Sequence, residues 1–209
     1  EGLAEIAQVI SSSMEIEAVF DEVAEILTRV VPGDAIFIST LSPDESSAIV
    51  RHNWGAIQPG TQVGDIYALK NTQLETVVQT GEPLTISETN IDELLQKIPK
   101  LTDDVASNLR SQITAPLVSD GRVFGIFGIR STARNVYTTR HVGLIRRIAG
   151  HIAGEIVKDE LNIRLRQTAA EQGVIAEIGR LMSSSSDLDD LMDEFDRLLQ
   201  ELLPNDRLV

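Results

Sequence analysis

Ile16, Val19, Phe20, Val23, Ile26, Leu27 and Val30 recur at spacings of three and four, which draws one apolar stripe along a helix. Ser12 followed by Glu15 reads as a capping box at its start, each side chain satisfying the other's orphan amide. Pro32-Gly33 ends it. The period then changes to two. Residues 35–41 and 47–54 alternate as strands around the turn Ser42-Pro43-Asp44-Glu45, a hairpin. Asn71 is placed to cap a short helix over residues 72–80, with Gly81 as its left-handed stop. A short strand over 83–87 follows, then a short helix or ordered loop over 91–100. Residues 111–118 and 122–131 form a second hairpin around Ser119-Asp120-Gly121. Strict alternation puts Phe124 and Ile126 on one side of its return strand, Val123 and Phe127 on the other. Gly125 and Gly128 in that strand imply close approach by a helix or ligand.

From residue 138 a long helix begins, with no proline until Pro204. Ile145, Ile148, Ala149, Ile152, Ala153 and Ile156 form its stripe, which thins beyond Lys158. A helix over 138–182 would be roughly 65 Å long at about 1.5 Å per residue. The two ends of the chain also repeat. With Glu5 laid on Glu177, Ala4-Glu5-Ile6 matches Ala176-Glu177-Ile178 and Ser11-Ser12-Ser13 matches Ser183-Ser184-Ser185. In the same gapless register Asp21-Glu22 meets Asp193-Glu194, Leu27 meets Leu199, Pro32 meets Pro204 and Asp34 meets Asp206. Two helices share periodicity by chance more readily than a serine triplet, a proline and an aspartate. A duplication, with the second copy only begun, is expected.

Composition narrows the function classes. Eighteen basic against 32 acidic residues leave a net charge of −14, and no basic stripe interleaves with aromatics, so nucleic-acid binding is not expected. Aromatics make up 4%, which leaves the core to Ile, Val, Leu and Ala. The chain has no cysteine, and so no disulfide, thiolate metal site, thiol nucleophile or thioether-linked chromophore. No apolar run approaches the roughly 20 residues of a membrane span. A cytoplasmic protein without direct membrane contact is expected.

The order of elements and several local stretches resemble the GAF domain family, over about residues 3–158 and again from about 175. The carriers are Glu5-Ile6-Ala7-Gln8-Val9-Ile10, Val31-Pro32-Gly33-Asp34-Ala35 and Val78-Gln79-Thr80-Gly81-Glu82-Pro83-Leu84. The most specific are Ser111-Gln112-Ile113-Thr114-Ala115-Pro116-Leu117 and Gly121-Arg122-Val123-Phe124-Gly125-Ile126, with Tyr137-Thr138 opening the last helix. The resemblance implies an α+β fold: a PAS-like antiparallel sheet with the N- and C-terminal helices on one face, a small-molecule pocket on the other, and a long signalling helix. It implies a GAF domain over 1–158, a connecting helix over 159–182 and the truncated start of a second GAF domain over 183–209. A place in a multidomain signalling protein, such as a sensor histidine kinase of a two-component system, is also implied.

The candidate ligand-binding residues are Phe37, Ser39, Arg51, Asn53, Trp54, Tyr67, Thr114 and Phe127. Arg51 is placed as an anion holder and Trp54 as a stacking lid, with core packing the plainer alternative for each. His52, on a strand, reads first as a partly exposed residue and second as a haem ligand; haem is not favoured. His141 and His151, ten apart on one helix, cannot share a metal. The adjacent acids Asp103-Asp104 and Asp189-Asp190 point in different directions, so no metal site is expected. Without cysteine a covalent bilin is excluded, as is the thiol chemistry of GAF-type methionine sulfoxide reductases. The Asn-Lys…Phe-xxx-Asp-Glu signature of cyclic-nucleotide-binding relatives is missing. No nucleophile–base pair, Walker motif or HExxH occurs, and no catalysis is expected of this chain.

Two functions remain. One is a ligand-gated sensor that relays through its helix to a downstream output domain, a kinase or cyclase outside these residues. The other is an assembly module that binds nothing and dimerises. Both predict a homodimer through the terminal helices, with Ile145, Ile148, Ile152 and Ile156 at the interface.

Overall fold

Helix α1 (Ile16–Thr28) is followed by strands β1 (Ala35–Leu41), β2 (Ser47–Gly55) and β3 (Ile66–Ala68), then helix α2 (Gln73–Thr80) and strand β4 (Leu84–Ile86). Strands β5 (Ser111–Ser119) and β6 (Arg122–Ser131) lead into helix α3 (Thr139–Ser184). The computed structural model describes residues 4–6, 8–9, 16–56, 62–87, 96 and 110–184. The capping box expected at Ser12 and Glu15, the element expected over 91–100 and nearly all of the second copy expected over 183–209 lie outside them. By internal contacts the chain divides into residues 1–157 and 158–209.

The strands form one antiparallel sheet in the order β3-β2-β1-β6-β5-β4. Chain-distant β1 and β6 lie side by side at its centre, so the two hairpins join through the middle. The α1 stripe buries Phe20, Val23, Ile26 and Leu27 against Ile36 and Ile38 of β1, Ile113, Ala115 and Leu117 of β5, and Phe127 and Ile129 of β6. Ile145, Ile148, Ala149, Ile152 and Ala153 of α3 complete this layer. At roughly 1.5–3 kcal/mol for each large apolar side chain buried, it is the main store of stability. Val30, expected on the stripe, lies beyond the end of α1 and is 40% exposed.

This layer corrects the expected dimer interface. Ile145, Ile148 and Ile152 are fully buried within the chain's own core, and Ile156 packs half-buried at its margin. Side chains already enclosed by α1 and the sheet have no apolar surface to offer a partner.

On the opposite face α2 lays Leu74 and Val77 over Phe37, Ala48 and Ile126, with Leu69 beside them. Its N-cap is Thr72 rather than Asn71: the Thr72 hydroxyl accepts from the Glu75 amide, while Asn71 takes a left-handed φ of 62°. Gly81 closes the helix at φ 66°, as its sequence position predicts. The next residue, Glu82, receives both terminal nitrogens of Arg146 on α3, at 2.9 and 3.2 Å. With both side chains about 60% exposed, this pair adds at most about 1 kcal/mol. Its interest is its route, from the end of α2 to α3.

Asp34, just before β1, clamps the sheet's centre. Its Oδ2 accepts from the Thr132 amide at 2.7 Å, the Thr132 hydroxyl at 2.9 Å and the Ser131 hydroxyl at 3.2 Å. The Thr132 amide above all holds the carboxyl below its ordinary value of 3.8; burial opposes it as the next largest effect, and the two hydroxyls add smaller lowering contributions. A depressed folded-state pKa means that the ionised group stabilises the fold above the unfolded value, and that this is lost as pH falls through the folded one. Urea midpoints of the wild type are therefore expected to fall more steeply below pH 4 than those of Asp34→Asn, the two curves converging in acid. Parallel curves would remove Asp34 from the acid response.

Candidate functional site

The second side of the sheet carries an unusual polar row. Cross-strand partners share a face, so Asn53, Phe37, Gly128 and Thr114 lie in line across β2, β1, β6 and β5. Ser39 and Ile126 stand one row along, and Arg130 and Gln112 one row the other way. Gly128 makes the arrangement possible: the Phe37 ring occupies the space where a Cβ would stand, 2.2 Å from its Cζ. The Arg130 guanidinium lies over that ring, 4.6 Å from its centroid, a cation–π contact.

From there a hydrogen-bond chain runs inward. Arg130 Nε donates to Gln112 Oε1 at 3.1 Å, and Gln112 Nε2 donates to Thr114 Oγ1 at 2.6 Å. Gln112 and Thr114 are almost wholly buried, as is Ser39, whose hydroxyl has no hydrogen-bond partner among the described residues. A buried hydroxyl left unsatisfied costs on the order of 1–3 kcal/mol. Polar groups at such cost in a layer of Phe37, Leu74, Val77 and Ile126 mark a candidate site.

Five of the eight expected residues share this face: Phe37, Ser39, Asn53, Thr114 and Tyr67, which packs against the α2 layer. Three do not. Arg51 sits in a β-bulge, where Ile38 pairs with His52 and Ser39 with Val50. The extra residue leaves the alternation, is exposed and donates from Nε to Thr40 Oγ1 at 2.8 Å. Trp54 packs against the terminal-helix layer, and Phe127 is fully buried within it. The expected lid thus packs half-buried on the opposite side, and Phe127 is a core residue there.

A second bulge, where Leu117 pairs with Gly125 and Val118 with Val123, frees Phe124 to pack on the terminal-helix side. That separates it from Ile126 and joins it to Phe127, reversing the expected partition. His52 also belongs to that side, its ring 4.9 Å from the Phe20 ring. A haem on the α2 face could not be reached from there. Gln112, Ile126 and Arg130 were not singled out from sequence. Gln112 could have been found by extending the parity of Thr114 back along the strand; Arg130 looks like an ordinary strand-end charge.

Elsewhere, the Tyr137 hydroxyl is buried without a hydrogen-bond partner among the described residues. Burial, and secondarily the Asp34 charge, push its ionisation above the ordinary value of 10.0. Among the described residues no group of three or more His, Asp or Glu is placed to hold a metal, and no helix is long and apolar enough to cross a membrane.

Comparison with known proteins agrees with this architecture. The chain is similar to the GAF domain of a phosphoenolpyruvate-protein phosphotransferase from Coxiella burnetii, at 18% identity and TM-score 0.63, over 77% of this chain and 94% of that one. It is similar to a free methionine-R-sulfoxide reductase from Neisseria meningitidis in complex with its substrate, at 15% identity and TM-score 0.64, over 78% and 90%. The phycoerythrobilin-bound GAF domain of a cyanobacterial phytochrome gives 14% identity and TM-score 0.60, over 77% and 95%. At such identities these structures establish the shared fold alone. No curated protein matches the chain in sequence. The GAF domain family matches residues 13–156, most of the chain and every strand of the sheet, so this chain belongs to the GAF domain family.

Proposed function

We propose that this GAF domain is a ligand-binding sensory module, non-catalytic in itself, whose state passes along α3 to an output domain of a signal-transduction protein such as a sensor histidine kinase. The observation that carries the reading is the polar row Arg130–Gln112–Thr114, with the unpartnered Ser39 hydroxyl, buried in an apolar layer. A purely structural sheet face is more stable without such groups. Structural neighbours hold a bilin or a substrate on the same fold, which supports the reading by analogy. The Arg146–Glu82 pair supplies a route for the signal. A ligand that lifts or rotates α2 displaces Glu82 and pulls on α3.

A thermal-shift screen against metabolites and nucleotides tests the proposal. A compound at 100 times its dissociation constant adds about 2.7 kcal/mol, and the shift is expected to vanish in Ser39→Val. A library without a stabilising compound would favour the second reading, an assembly module. That reading draws on Leu161, Ile163, Leu165 and Ile175, all more than half exposed along α3. Leu161, Leu165 and Ile175 fall close to one heptad seam and would carry a helical homodimer in place of the enclosed isoleucines.

A further inference from the structure

The direction of one hydrogen-bond chain restricts what the α2 face can hold. The Arg130 guanidinium has donors only. Its bond to Gln112 Oε1 therefore fixes which end of the amide is oxygen, and Nε2 must face Thr114. A flipped amide would set donor against donor. The Thr114 oxygen accepts from Nε2, so its own proton is turned elsewhere, and it meets no acceptor among the described residues. Thr114 is 1% exposed, so bulk water does not serve it either. The guanidinium polarises both bonds in the same sense and strengthens Thr114 as a donor. Around it Phe37, Ile126, Leu74, Val77 and Leu84 offer apolar surface.

Resting on the sensory reading, we propose that the α2 face takes a small molecule with an apolar body and a carbonyl or carboxylate oxygen, which accepts the Thr114 proton. A group with donors alone, such as an ammonium, reaches only the second lone pair of the Thr114 oxygen and leaves its proton without an acceptor.

Three phenyl probes that differ only in their polar group test this on the whole chain: benzoate, acetophenone and benzylamine, followed by saturation-transfer NMR and calorimetric titration. Benzoate or acetophenone is expected to bind about five- to tenfold more tightly than benzylamine, since one hydrogen bond of about 1–1.4 kcal/mol decides between them. The arms also separate a charged from a neutral acceptor. Thr114→Val keeps the side chain's shape and should weaken the acceptor probes about tenfold; Thr114→Ser should retain them. Gln112→Glu is the stronger test. A carboxylate at 112 accepts from both neighbours, so Thr114 turns its proton towards it and offers lone pairs to the ligand. Benzylamine should then gain on benzoate. Equal binding of benzylamine to the wild type, or acceptor binding untouched by Thr114→Val, overturns the inference while ligand binding stands. Failure of all three probes overturns it too, and a hit in the metabolite screen would at the same time preserve the sensory reading.

Discussion

Phe127→Ala is expected to cost about 3–5 kcal/mol, the usual range for emptying a core aromatic site. The ring is fully buried between the sheet and the terminal helices, paired across the strands with Ile38 on one side and Ala115 on the other. Its neighbours belong to regular elements held on both sides, so the cavity has little freedom to collapse. Against a typical total of about 5–15 kcal/mol, such a loss leaves the domain marginal. Urea denaturation measures it directly, and Phe127→Leu should recover more than half. The experiment also decides a question of place. A Phe127 that lined the ligand pocket would lose ligand response at a cost below about 1 kcal/mol, an outcome that would return it to the site.

Gly128→Ala is expected to destabilise by about 1–3 kcal/mol and to abolish the proposed ligand response, although alanine is the better residue in most strands. Restricting the unfolded chain would by itself stabilise by about 0.4–1 kcal/mol. The clash is larger. The new Cβ would stand 2.2 and 2.3 Å from Phe37 Cζ and Cε1, far inside contact distance. The ring is 5% exposed and lies under the Arg130 guanidinium, so it cannot swing away without breaking the head of the polar chain. A second change separates clash from backbone effects: Phe37→Leu combined with Gly128→Ala should be more stable than Gly128→Ala alone. Neutral behaviour of the single variant would mean that the ring is free to move and that the row is not pre-organised.

Most elements were legible from periodicity. The α1 stripe, the two hairpins and the uninterrupted α3 follow from spacings of three and four or of two, and Gly81 marks the end of α2 by its backbone freedom alone. The site was legible in part. Phe37, Ser39, Asn53 and Thr114, expected together from like parity along their strands, are carried to one face by cross-strand pairing. Arg51 and Phe124 were misplaced where a bulge adds a residue and reverses the parity behind it. Neither bulge has a glycine or proline to announce it at the extra residue.

Local chemistry along the chain was enough to determine where helices and strands form, because capping, turn residues and apolar period act over a few residues. Only the tertiary structure decided which parity of each strand meets the terminal helices and which meets α2. Both faces of the inner strands are buried, as the unbroken burial of residues 111–117 of β5 shows, so hydrophobicity does not distinguish them. For the same reason Phe127, Trp54 and the isoleucines of α3 could be read as wall, lid and interface until packing enclosed them. An apolar side chain carries no mark of what will cover it; that is set by the neighbour the fold brings.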